Sequence, residues 1–217
     1  MLRLFCITLL LASCFQFSAY AELGFDISAF VGPIDCFEDV AAAGYTFMIV
    51  EIQSSHKDFN YDIVHNTVNA RKAGINDIDI YIFPDKDKPA DEQTSFALNY
   101  LIQNGVEFNR FWFDVEDQPH WFPTCEENIN FLQAMLDTAA KFLPHERIGI
   151  YVQNYYWEPI MCNTTQFSNY QLWWPRYDHL ENYDNWKPFG GWSLPVMKQH
   201  TPNVTVSCAY FDVDWRP

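Results

Sequence analysis

The stretch Arg110-Phe111-Trp112-Phe113-Asp114-Val115-Glu116 reads as a strand covered on both faces, apolar and aromatic until its far end turns acidic. It lies between two stretches of helical period, Asp91 to Gln103 and Glu126 to Phe142. A strand between helices is the mark of parallel β/α units. The same alternation extends in both directions. Strands are expected from Leu23 to Ile27, Phe47 to Ile52, Ile78 to Phe83, Ile148 to Val152, Gln171 to Trp174, Val196 to Gln199 and Ala209 to Asp212. Further helices fit Cys36 to Ala43, Tyr61 to Ala73 and Asn154 to Met161. Gly44, Gly74 and Gly105 directly follow three helices, where a left-handed cap residue is expected. Beyond Met161 the helical period gives way to aromatic, proline and glycine residues, so the last strands should be joined by loops. The expected fold is α/β: a single irregular TIM-like β/α barrel of about five β/α units plus about three further strands. No linker or internal repeat separates a second domain.

The chain opens with Met1-Leu2-Arg3, an apolar run from Leu4 to Phe15, and Ala19-Tyr20-Ala21, which reads as a signal peptide over residues 1–21 before a domain over 22–217. The run is too short to span a bilayer. A secreted product is expected, extracellular or in an acidic, lysosome-like lumen. Cys6 and Cys14 leave with the leader, so Cys36, Cys125, Cys162 and Cys208 remain, and an oxidising compartment favours two disulfides. Of the three connectivities that four cysteines allow, nearness of the expected elements favours Cys36 with Cys208 and Cys125 with Cys162. Asn163-Thr164-Thr165 and Asn203-Val204-Thr205 are acceptor sequons for glycosylation. The formal charge of -15 argues against nucleic acid and anionic membranes as partners. It also suits work at low pH, where carboxylates are partly protonated. A monomer is expected.

Asp114 and Glu116, two residues apart on an extended strand, project from the same face. Two acids on one wall can divide acid and base roles, as cleavage of a glycosidic bond requires. The alternative is a strand end whose acids simply meet solvent. In β/α barrels the reacting groups sit at the C-terminal strand ends, and Asp26 and Asp212 also end strands. Closure of the barrel would make the first and last strands neighbours and gather all four acids at one mouth. Taken singly, Asp26 could cap a turn and Asp212 could pair with Arg216. Crowded carboxylates cannot all ionise cheaply, so Glu116 is expected to hold a proton and act as the acid. Asp114 should stay ionised, with Asp26 and Asp212 tuning the pair. Tyr81, Tyr151, Trp173 and Tyr177, at or just beyond strand ends, are candidate sugar platforms, although aromatic residues at 18% of the chain serve more often as core.

The runs Gly24-Phe25-Asp26-Ile27-Ser28, Phe113-Asp114-Val115-Glu116, Gly149-Ile150-Tyr151, Leu172-Trp173-Trp174-Pro175-Arg176-Tyr177, Lys198-Gln199 and Phe211-Asp212-Val213-Asp214-Trp215 together resemble the family 25 glycoside hydrolases, lysozymes of the muramidase type. Phe189-Gly190-Gly191-Trp192 is similar to the secreted animal and amoebal members. The resemblance implies an irregular β/α barrel that cleaves the β-1,4 bond between N-acetylmuramic acid and N-acetylglucosamine in bacterial peptidoglycan, in digestion or antibacterial defence, without a cofactor. It implies Glu116 as the acid, Asp114 as the assisting carboxylate, and Asp26 and Asp212 as the rest of the acidic set. Tyr81, Tyr151, Trp173, Tyr177 and Gln199 match groove positions. Three departures stand out: Glu51 where a basic residue is usual, Tyr81-Ile82-Phe83 where Tyr-His-Phe is common, and Asp214 where asparagine is common.

Two other readings compete. One is a catalytically weak carbohydrate-binding protein that recognises bacterial walls, against which the acid set argues, since such acids are costly to desolvate. The other makes Asp114, Glu116 and Asp117 ligands of a hard metal. The scattered histidines and the lack of a ligand spacing make a metal site the weaker expectation.

Overall fold

A computed structural model describes residues 21–54 and 59–217. The expected leader falls, but for Ala21, outside them. Eight strands close into one barrel in sequence order: β1 (Glu22–Ile27), β2 (Phe47–Gln53), β3 (Asp77–Ile82), β4 (Phe111–Asp114), β5 (Ile148–Tyr151), β6 (Gln171–Pro175), β7 (Met197–Val206) and β8 (Ala209–Arg216). The helices α1 (Ile34–Ala42), α2 (Ile63–Lys72), α3 (Ala90–Gln103), α4 (Cys125–Ala139) and α5 (Asn154–Met161) follow the first five strands. The irregular barrel of five β/α units is therefore as the sequence indicates. Thr124 shows how local chemistry sets an element. Its hydroxyl accepts from the Glu127 backbone N–H at the start of α4 and donates to the Glu127 carboxylate. The glycines after α1, α2 and α3 adopt φ of 101°, 94° and 66°, as their positions predict.

Strand direction differs from expectation at one place. From β1 to β7 every sequential pair is parallel, but β8 runs antiparallel to both β7 and β1. Strands β7 and β8 form a hairpin that reaches Val206 and Arg216, well beyond the expected ends at Gln199 and Asp212. Asp212 consequently lies within β8 rather than at its C-terminal end. It reaches the barrel mouth because the early part of a reversed strand lies beside the late parts of its neighbours, and the register pairs it directly with Asp26.

Two apolar layers hold the fold. The larger packs helices against the outside of the barrel, and the smaller fills the barrel with Phe47, Ile49, Tyr81, Trp112, Tyr151, Trp173 and Met197. Space inside is made by glycine: a Cβ at Gly149 would come within 2.2 Å of the Trp112 ring. Trp112 is fixed in turn by an Nε1–H···Oδ2 bond of 2.9 Å to the buried Asp79. At the opposite end from the mouth, Arg216 pairs with Glu22 and Asp77, and not with Asp212. Both expected disulfides are present, Cys36–Cys208 with Cα atoms 5.5 Å apart and Cys125–Cys162 with 5.8 Å. The first joins α1 to the tip of the β7–β8 hairpin, and the second joins the start of α4 to the residue after α5. No helix among the described residues is long and apolar enough to cross a membrane.

Candidate active site

At the mouth the chain places Asp26, Asp114, Glu116 and Asp212 around one cleft of about 270 Å³, lined also by Tyr81, Tyr151, Trp173, Tyr177 and Gln199. All nine residues expected there from the sequence are brought together. Asp26 comes from the end of β1 and Asp114 from the last position of β4. Strand β4 stops earlier than expected, at Asp114. The backbone nevertheless continues beside β5 through a Val115 N–H···O=C Tyr151 bond of 2.9 Å, which keeps Glu116 on the same face. Asp117 then adopts a left-handed φ of 53° and turns the chain out of the sheet.

Burial sorts the four acids differently from the sequence reading. Asp114 is only 5% exposed, and its Oδ1 has no hydrogen-bond partner. Burial, with the neighbouring charges of Glu116 and Glu51, pushes its pKa well above the ordinary carboxylate range. That direction favours the protonated form of Asp114, where the sequence favoured the ionised one. Glu116, nearer the surface, is raised to about 7 by burial, with Asp117 and Asp212 adding to the effect. The Asp114/Glu116 pair therefore retains at least one proton at neutral pH. Asp212 is half-buried, and burial raises its pKa. The Asn203 backbone N–H, at 2.7 Å from Oδ1, favours its charged form. The ionised carboxylate of the set is best supplied from this side.

Asp26 is held by Gln199, whose Nε2–H donates to Oδ2 at 2.7 Å. Gln199 Oε1 accepts from the hydroxyls of Tyr151 at 2.7 Å and Tyr177 at 2.8 Å, so one buried amide organises three residues of the cleft. Behind Asp26 stands Asp214, wholly buried, with Oδ1 accepting from Trp173 Nε1 at 2.7 Å. Its Oδ2 meets no donor. Burial and the Asp26 charge raise its pKa well above the usual value, and in its protonated form it donates to Asp26.

The strand-end aromatics divide between core and cleft. Tyr81, Tyr151 and Trp173 are buried, and they interlock edge to face, with Trp173 centroids 4.5 Å from Tyr151 and 6.1 Å from Tyr81. They are the floor of the cleft and the top of the barrel core, not open platforms. The exposed rings are Tyr177, as expected, and Tyr210, which the sequence reading missed although it stands two positions before Asp212 on one strand face. Asp214 and Asn203 were missed as members of the site. Asn203 carries an expected sequon yet lines the cleft, and its side-chain oxygen accepts from the Tyr210 hydroxyl. Asn163, the other sequon, is exposed and accepts from the Gly190 N–H. Asp117 pairs with His120 at 2.9 Å. Among the described residues no group of His, Cys, Asp and Glu side chains is arranged to hold a metal ion.

Comparison with known proteins gives a consistent set of relatives. Residues 18–200 match the family described as Lysozyme-like protein 1. "Probable GH family 25 lysozyme 2" of Dictyostelium discoideum is 31% identical over 195 residues, covering 89% of this chain and 90% of the relative. "Lysozyme-like protein 5" of Caenorhabditis elegans is 33% identical over 208 residues, covering 94% of each. Among solved structures, the muramidase from Trichobolus zukalii superposes with a TM-score of 0.73 at 17% identity, covering 90% of this chain and 93% of that one. A bacterial lysozyme from Streptomyces coelicolor gives 0.73 at 15%, covering 90% and 92%. These two likenesses establish the barrel fold.

Proposed function

The chain belongs to the glycoside hydrolase family 25 lysozymes, and from that membership and the cleft geometry we propose that it cleaves the β-1,4 bond between N-acetylmuramic acid and N-acetylglucosamine in peptidoglycan. The observation that carries this reading is the convergence of four carboxylates from β1, β4, the segment after β4 and β8 on one open cleft. Glu116, protonated up to about pH 7, delivers its proton to the departing glycosidic oxygen. As positive charge grows at the anomeric carbon, the Asp212 carboxylate stabilises it, while burial and the Asp212 charge raise the pKa of Asp26 well above the ordinary range. A water attacks the anomeric carbon, forming the C–O bond that replaces the broken one, and its proton passes to the ionised carboxylates of the cleft, from which Glu116 is reprotonated; Asp114 hydrogen-bonds the bound sugar. Tyr177 and Tyr210 offer open ring faces for stacking. No step requires a cofactor.

We also infer that residues 1–21 direct secretion, that the product acts as a monomer in digestion or defence, and that an acidic lumen suits it. A protonated Glu116 and a surface dense in carboxylates support that last reading. The test is to incubate the secreted protein with purified peptidoglycan, with and without chelator, and identify the new reducing end by mass spectrometry. N-acetylmuramic acid at that end, unaffected by chelator, is the expected result. Wall binding without released fragments would instead favour a carbohydrate-binding protein.

A further inference from the structure

Beside the catalytic cleft runs a second groove of about 510 Å³, floored by the buried rings of Trp174 and Phe189. The two are neighbours through the chain itself: Tyr177 lines the cleft, and Arg176, the residue before it, lines the groove. Charge distinguishes them. The cleft gathers four carboxylates, whereas the groove presents Arg176 and Lys187 against Glu158 alone, on a chain of formal charge -15.

The cations face outward because the nearby anion is already satisfied. Asp178 accepts from the buried Lys198 ammonium at 2.6 Å and from Asn185 Nδ2 at 3.1 Å. Arg176 Nε lies 4.0 Å from it, and the Arg176 side chain is 55% exposed. Lys187 is exposed and makes no ion pair among the described residues. One end of the groove is the start of α5, where Gln153 occupies the N-cap position with no side-chain cap, so backbone N–H groups add a partial positive charge. Gln153 and Asn154 supply amides suited to an extended peptide backbone, and Tyr155, 74% exposed, adds an open ring.

We propose that this groove receives the acidic peptide branch carried by the muramic acid sugar, with Arg176 and Lys187 taking its carboxylates. The inference rests on the muramidase reading for the identity of its ligand. A glycan lying in the cleft sends its peptide branches sideways, and a groove of opposite charge to the cleft accommodates branch and backbone in separate channels. Contacts of this kind raise affinity without entering the reacting centre.

The experiment titrates the whole protein with N-acetyl-L-Ala-γ-D-Glu-meso-diaminopimelate-D-Ala, which carries more carboxylates than amines, by calorimetry. It then compares turnover of intact peptidoglycan with that of glycan strands stripped of peptide by an amidase. Saturable peptide binding is expected, weakened at least about tenfold in Arg176→Ala/Lys187→Ala as two charge-assisted contacts are lost. On intact polymer the KM of that variant rises by about the same factor with kcat unchanged, and on stripped strands neither constant moves. Absence of peptide binding by the wild-type protein, equal binding by the variant, or equal loss on both polymers overturns the proposal. Circular dichroism and Arg176→Glu, which reverses the charge at an exposed position, separate lost binding from lost folding. A wild-type protein inert on both polymers would sink the muramidase reading alone, and the peptide titration would still judge the groove.

Discussion

Gln199 Nε2 donates to Asp26 Oδ2 across 2.7 Å, so an amide on β7 positions an acid on β1 although 173 residues separate them. The same amide accepts from Tyr151 and Tyr177. Removing it orphans three polar groups at once, and leaving buried groups unpaired costs about 1–3 kcal/mol. Gln199→Leu is expected to lower kcat by about 10–100-fold, since misplaced groups lose much of their effect, and to lower Tm. An unchanged kcat would mean that Asp26 needs no support from this side.

Glu116→Gln should reduce kcat by about two to four powers of ten, the range for a lost general acid, while wall binding persists. Glu116 is raised from 4.5 to about 7 in the fold, so wild-type activity should fall as pH rises through about 7. Stability follows the same direction. The folded protein holds this proton where the unfolded chain releases it, so the contribution is fully present below 4.5 and is lost as pH passes about 7. The variant should show a shallower decline of denaturation midpoint across that window. A wild-type kcat still rising above pH 8 would remove Glu116 from the acid role.

Asp214 acts as a buried donor to Asp26, and asparagine offers a donor of nearly the same shape. Asp214→Asn should therefore keep activity within about threefold, whereas Asp214→Leu leaves the Trp173 indole without a partner and Asp26 with Gln199 alone, and should cost about 2–4 kcal/mol of stability together with most activity. Thermal melts and initial rates of the two variants decide between them. Equal damage from both would show that the charge of Asp214, rather than its hydrogen bonding, is what the site uses.

Each disulfide restrains the unfolded chain by an amount that grows with the logarithm of the loop it closes, 172 residues for Cys36–Cys208 and 37 for Cys125–Cys162. The chain-entropy relation gives roughly 5 kcal/mol for the first and roughly 4 kcal/mol for the second. Paired serine substitutions should rank in that order by denaturant titration. Loss of the first should also impair turnover more, because it anchors the hairpin bearing Asp212. The reverse ranking in both assays would contradict this account.

The barrel was legible because parallel strands and outer helices impose different periods, and helix ends carry their own chemistry at residues such as Thr124 and Gly105. The gathering of the acids was legible because barrel strands deliver their ends to one mouth. Strand direction leaves no periodic trace, however, so the reversal of β8 and the length of its hairpin were invisible, and with them Tyr210 and Asn203 as cleft residues. Depth was hidden for a similar reason. Asp114 and Glu116 share a face, but only the three-dimensional enclosure of Asp114 reveals which of them is starved of water. Likewise Tyr81, Tyr151 and Trp173 at strand ends read identically whether they cap a core or welcome a sugar.

Since β8 runs against its neighbours, one bank of the catalytic channel is a continuous ribbon, residues 197–216, while the opposite bank is assembled from separate crossover loops. A contiguous ribbon can be recut by exchanging a single segment, with the staves β1 to β6 left undisturbed. It is the natural place for lineages, or protein engineers, to retune which polymers the channel admits.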